Sequence, residues 1–285
     1  MLNRYGQYLA ERFPLQRHGP LILVFSGAAV GHAGRLVGRP AAPVAMLTAT
    51  AVVLLQFLLM RCADDVKDLE VDRRWRPQRP LPRGLLSLAD LAALAAVAAA
   101  LQWGVVLLAR PAALPLLAAV WGWFLLMSAE FFCPAWLRRQ LGLYAFSHLL
   151  IVPLLALLAM AMAMPLPHPL LRLLPFLCCS YSAALGLEVG RKTWRRGADP
   201  VGVESYSATW GWRGAVGAWL LGLALSVAGA GAAALVVPQP SLPWLLLPLL
   251  LLLVGAALTA RGPQPLAGPS SVWILGLYLA LGWAP

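Results

Sequence analysis

The sequence predicts an all-α integral membrane protein, with about nine transmembrane helices in one bundle and a single polytopic domain over residues 1–285. Two observations carry that prediction. The chain is 61% hydrophobic and 12% charged, with a mean hydropathy of +0.76, whereas soluble domains are about a quarter charged. It also offers nine apolar stretches close to the length of about twenty residues that crosses a bilayer. A third observation shapes the bundle: charge gathers in two segments, 61–84 and 186–211, which follow the second and sixth spans. These read as two cytoplasmic loops over a central cavity.

In chain order the spans are 20–37, 43–60, 85–109, 112–130, 141–162, 169–187, 213–236, 242–259 and 270–284. Pro43, Pro111 and Pro169 stand at or near starts, where a missing N–H costs nothing. Sidedness follows from the bases. The N-terminus and the loops after spans two, four, six and eight hold 18 of the 22 lysines and arginines. By the positive-inside rule that side is cytoplasmic, with the N-terminus in and the C-terminus out, as in a bacterial-type inner membrane. The net charge of +11 then reflects topology and attraction to an anionic leaflet. A nucleic-acid partner is not expected, because no soluble basic domain is present. Residues 1–19 include Glu11 and no convincing cleavage site follows, so the first span reads as retained rather than as a signal peptide. Cys62, Cys133, Cys178 and Cys179 form no CxxC or Cys/His metal spacing and read as packing residues.

Five of the eleven acids lie between Asp64 and Asp72. At about 100° per residue, Asp65, Asp68 and Asp72 share one helix face, with Asp64 at its edge and Arg61 one turn earlier. Carboxylates crowded on one face repel unless cations offset them, so the pattern asks for a metal or a ring of arginines. Pro77, Pro80 and Pro82 stop any helix there, which leaves Arg73, Arg74, Arg76, Arg79 and Arg83 on a bent loop able to fold back over the acids. Lys67 points away from them on a strictly helical reading and joins them only if the helix ends or bends there. Farther on, Glu130 reads as an interfacial acid. Ser26, His32, Thr48, Gln56 and His148 read as hydrogen-bonded packing groups.

The second charged segment is mainly basic. Read as a helix, Glu188, Arg191, Lys192 and Arg195 share a face. The chain has only two lysines, Lys67 and Lys192, one in each segment. A lysine is a compact, mobile point charge. An acidic face opposite a basic one at a membrane surface suits a magnesium-bridged phosphate ester. Mg²⁺ takes one or two carboxylates and completes its shell with water and phosphate oxygens, and Arg and Lys neutralise the rest. With diphosphate as the leaving group, that neutralisation stabilises charge that grows as the C–O bond breaks. The apolar bundle beneath would hold a hydrocarbon tail.

The first segment resembles the UbiA-type superfamily of intramembrane prenyltransferases, whose first motif is N-D-x-x-D-x-x-x-D after the second of nine helices. Here Asp64-Asp65-x-x-Asp68-x-x-x-Asp72 matches, with Asp64 in place of the asparagine, and Arg79-Pro80-Leu81 and Arg83-Gly84 look like the R-P-L…G that follows. The resemblance implies Mg²⁺ as cofactor, held by Asp64, Asp65, Asp68 and Asp72 with support from Glu188. It also implies an isoprenyl diphosphate substrate held by Lys67, Arg79, Arg191 and Lys192. Asp65, Asp68 and Asp72 would be the catalytic residues. The implied reaction ionises the diphosphate and transfers the prenyl group to an acceptor that the sequence does not identify. The second motif departs from the family's D-x-x-x-D. Glu188-x-x-x-Lys192 stands there, so Lys192 would contact diphosphate rather than metal. The alternative reading is a UbiA-type terpene cyclase, in which the cation is quenched internally. A transporter fits less well, because the charges gather at one membrane face rather than at the midplane.

Overall fold

The computed structural model describes residues 2–166, 169–202 and 204–283. Among them there is no strand. Eight helical segments are long and apolar enough to cross a membrane, and a shorter apolar helix follows them. The helices are α1 (Leu2–Arg12), α2 (Leu15–Leu36), α3 (Pro43–Lys67), α4 (Leu69–Trp75), α5 (Leu88–Ala109), α6 (Leu114–Ser128), α7 (Pro134–Arg139), α8 (Leu141–Leu149), α9 (Ile151–Ala163), α10 (Leu174–Arg191), α11 (Tyr206–Val236), α12 (Leu242–Thr259) and α13 (Ala267–Trp283). Residue 284, the expected end of the ninth span, lies outside the described residues.

Local chemistry explains the boundaries. Proline occupies the first turn of α3, α6, α7, α10 and α12, where no intrahelical donor is lost. Ser87 and Asp90 close a capping box on α5, satisfying two otherwise orphaned backbone donors. The fifth span is divided into α8 and α9 at Leu150. Three residues on, Pro153 has no N–H for the carbonyl of Leu149, so the ladder cannot pass unbroken.

The outer surface is apolar. Leu108, Leu235 and Trp244 are more than three-quarters exposed, which suits lipid rather than water. Inside, α9 packs against α2, α3, α6 and α10, and α10 lies along α11. A Cβ on Gly229 would stand 2.8 Å from the backbone nitrogen of Cys179. Only glycine permits that approach, the usual device for seating one membrane helix on another. At the end of the bundle away from the acidic segment, the Arg35 guanidinium donates to the carbonyls of Leu281 and Gly282, tying α2 to the C-terminal turn of α13.

One element was not anticipated. Residues 2–12 form α1, an amphipathic helix that lies against the first charged segment. Arg4 and Tyr5 donate to Asp90, and Arg83 pairs with Glu11 at 2.7 Å. The hydrogen bond from Arg83 holds the Glu11 carboxyl below its ordinary range. That stability is present above the usual carboxylate pKa of about 4.3 and is lost as pH falls through the lower folded value. Acidification below about pH 4 is therefore expected to raise amide hydrogen exchange first in residues 2–12.

Candidate active site at the charged end of the bundle

The acidic segment is not one continuous helix. Lys67 is the last residue of α3, Asp68 sits at the junction with φ −84° and ψ −3°, and α4 begins at Leu69. The condition for Lys67 to join the site is therefore met. The four aspartates fall into two pairs with different surroundings.

Asp65 and Asp72 are buried, 4% and 2% exposed. Tyr8 donates to Asp65 at 2.9 Å, and the Arg12 Nε lies 3.0 Å from both of its carboxylate oxygens. Burial, with Cys62 and Asp65 alongside, pushes the Tyr8 hydroxyl far above its ordinary range, so it stays a donor. Asp72 accepts from Arg76 at 2.9 Å and from Arg79 at 2.6 Å. The loop arginines do fold back over the acids, as the proline spacing predicts. Arg79 is nevertheless spent on Asp72, and Arg12 was not foreseen at all.

Asp64 and Asp68 are different. The Asp64 side chain is about half exposed, and its only ion pair among the described residues is a loose one with Arg61 at 3.9 Å. Asp68 makes no side-chain hydrogen bond or ion pair among the described residues. Asp64 and Lys67 line a narrow pocket of about 10 Å³ with Met60, Ala63, Phe124, Met127 and Ser128. One end of that pocket is polar and the other is hydrocarbon. Among the described residues no three of His, Cys, Asp and Glu gather into a metal cage. Asp64, only loosely paired, and Asp68 nevertheless match the donor set of Mg²⁺, which leaves most of its shell to water and phosphate.

Lys67 is held from two sides. Its Nζ donates to Tyr144 Oη at 2.8 Å and lies 3.6 Å from Glu130. Glu130 is 3% exposed and receives both Nε and Nη2 of Arg138 at 3.0 Å. The expected interfacial acid is thus turned inward. Glu130, Phe131 and Phe132 all have positive φ, from 47° to 58°, a left-handed turn that costs each non-glycine residue about 1–3 kcal/mol. The hydrogen bond to Glu130 raises the Arg138 pKa. His148 stacks on Tyr144 at 3.9 Å and fixes its ring.

In the second segment Glu188 accepts from Arg191 at 2.6 Å and from Lys192 at 2.9 Å. The spacing predicts this shared face. Arg195 departs from it because α10 ends at Arg191. Its backbone N–H donates to Pro263 and its side chain to Ala260. Asp199 accepts from Ser205 and Ser207. Glu188, engaged by two cations, is not a free carboxylate.

The two segments meet. Arg76 reaches the Gly202 carbonyl at 3.4 Å, and a Cβ on Gly202 would fall 2.5 Å from Cγ of Trp75. Gly202 has φ +73°. Gly202→Ala meets both obstacles, and the backbone alone costs about 1–2 kcal/mol. A lower melting temperature and reduced activity are expected together.

No family model matches this chain, and no curated protein matches it. Two solved structures do. A UbiA homolog from Aeropyrum pernix K1 aligns over 92% of this chain and 95% of its own, with a TM-score of 0.68 and 19% identity. A digeranylgeranylglyceryl phosphate synthase aligns over 98% and 99%, with a TM-score of 0.58 and 15% identity. The chain therefore has the fold of the UbiA-type intramembrane proteins, as the first motif implied.

Proposed function

We propose that this integral membrane protein is a Mg²⁺-dependent prenyltransferase that ionises an isoprenyl diphosphate. The observation that carries the reading is the pocket beneath the charged end, where Asp64 and Lys67 face apolar Met60, Phe124 and Met127. A ligand with a charged head and a hydrocarbon tail matches that division in chemistry, and its entry requires the cavity of about 10 Å³ to widen. The shared fold with a digeranylgeranylglyceryl phosphate synthase supports it.

In this reading Asp64 and Asp68 hold the metal, since neither is committed to a close arginine. Bound Mg²⁺ would supply positive charge to the diphosphate oxygens. Lys67 donates to the same group after exchanging Tyr144 for phosphate oxygen, and Arg191 and Lys192 approach from the second segment. Asp65 and Asp72 act through position. They anchor α1 and the arginine loop, and so fix the angle at which α3 presents Asp64 and Lys67. Lys67→Met removes a charge-assisted hydrogen bond of about 1.5–3 kcal/mol. Affinity for the diphosphate substrate should fall at least about tenfold, measurable by calorimetry in detergent.

A terpene cyclase would use the same groups and differ only in the fate of the cation. Incubation of the purified protein with Mg²⁺ and geranylgeranyl diphosphate separates the outcomes. Diphosphate release that waits for an added acceptor supports transfer. Release without acceptor, with a cyclic product, assigns the cyclase. Failure to bind farnesyl or geranylgeranyl diphosphate removes both.

A further inference from the structure

Below the pocket lies a polar group that the diphosphate reading does not use. Gln56 of α3, Gln102 of α5 and Trp121 of α6 form a network inside the membrane-spanning region, and both glutamines are 0% exposed. Its orientation is determined by its neighbours. The Trp121 indole N–H can only donate, and it points at Gln102 Oε1 at 2.8 Å. The Gln102 NH₂ group therefore faces the Val52 carbonyl at 3.0 Å and Gln56 Oε1 at 3.1 Å, using both of its hydrogens. Gln56 cannot be flipped without setting one NH₂ against another. Its own Nε2 is left buried with no partner.

An amide nitrogen in an apolar interior is stable only with an acceptor. Gln56 lies one turn before Met60 and two turns before Asp64 on the same face of α3, roughly 12 Å from Asp64 along the axis. Met60 lines the candidate pocket, and so does Phe124, whose ring meets Trp121 edge-on at 5.7 Å. The network and the pocket thus share two walls.

We propose that the Gln56 amide is a binding point for a neutral oxygen, placed alongside the prenyl chain rather than at its diphosphate. An uncharged donor in hydrocarbon offers nothing to neutralise an anion, so water, hydroxyl or carbonyl oxygen is the class it takes. The assignment of the neighbouring pocket to a prenyl chain rests on the proposed function. The unpartnered amide does not.

Gln56→Met keeps the side chain's length and removes the idle donor, but it also removes the acceptor that Gln102 uses, so the readout is ligand binding rather than melting. If the oxygen comes from a substrate, the variant in lipid nanodiscs should bind geranylgeraniol, the hydroxyl-bearing probe, at least threefold more weakly than wild type. Binding as tight as wild type, with no oxygen density beside Nε2 in the free protein, overturns the proposal. An experimental density map of the wild-type protein, free and with geranylgeraniol, provides a test that does not require the variant to fold. Oxygen density within hydrogen-bond distance of Nε2 in either map supports the site, and carbon-only surroundings in both overturn it. The density measurement on the free protein needs no diphosphate, so failure of the prenyltransferase reading stays distinguishable from failure of this one.

Discussion

Asp68→Asn is expected to reduce diphosphate release by about 10²–10³-fold, the cost typical of losing one preorganised electrostatic group, while leaving the melting temperature unchanged. The two halves of that expectation come from one observation. Asp68 stands between α3 and α4 with no side-chain partner among the described residues. Its removal therefore breaks no ion pair, but it removes one of the two carboxylates available to a metal. A steady-state assay at saturating Mg²⁺, run beside a thermal melt, reads both quantities. A large fall in melting temperature would show that Asp68 is held by something the structure does not contain.

Asp65→Ala should behave in the opposite way. It is buried against Arg12 and Tyr8, and removing one member of a buried pair leaves the other charge uncompensated. That loss runs to about 3–5 kcal/mol. Arg12→Ala should destabilise by a similar amount, although residue 12 lies more than fifty positions away in sequence. Thermal unfolding of both variants, and of the double variant, checks the pairing. If Arg12 and Asp65 are coupled, the double variant is no worse than the more damaging single change.

Most of the architecture was readable before the structure, for a physical reason. Without water in the hydrocarbon region, backbone groups must bond within their own helix, so hydropathy alone locates the spans from 20–37 through 242–259. The contents of the charged end were readable only in part. Glu188 with Arg191 and Lys192 followed from i, i+3 and i+4 spacing. The pairing of Asp64 with Asp68 and of Asp65 with Asp72 also lies in the spacing, i, i+4 and i, i+7, but which pair meets Tyr8 and the arginines does not. No glycine or proline near Asp68 marks the end of α3.

Two other features depend on long-range contacts that periodicity cannot report. Glu130 looked interfacial because acids at span ends usually are. Its burial needs Lys67 from one direction and Arg138 from another. The helix α1 did leave a signal, since Arg4, Tyr5, Tyr8, Glu11 and Arg12 recur at helical spacing. What that face docks against was not visible in residues 1–12 themselves. Gln56 shows the same limit: its carbonyl is satisfied, as a packing group's should be, and only the geometry reveals the idle amide.

The central claim is that Asp64 and Asp68, with Lys67, form the metal and diphosphate site. Equilibrium binding of geranylgeranyl diphosphate to the purified protein, with Mg²⁺ and with EDTA, tests it most directly. The account predicts Mg²⁺-dependent binding that both Asp64→Asn and Asp68→Asn abolish, and that Asp65→Asn retains in whatever fraction of the protein stays folded. Binding that survives loss of both Asp64 and Asp68, or that does not respond to Mg²⁺, would contradict it.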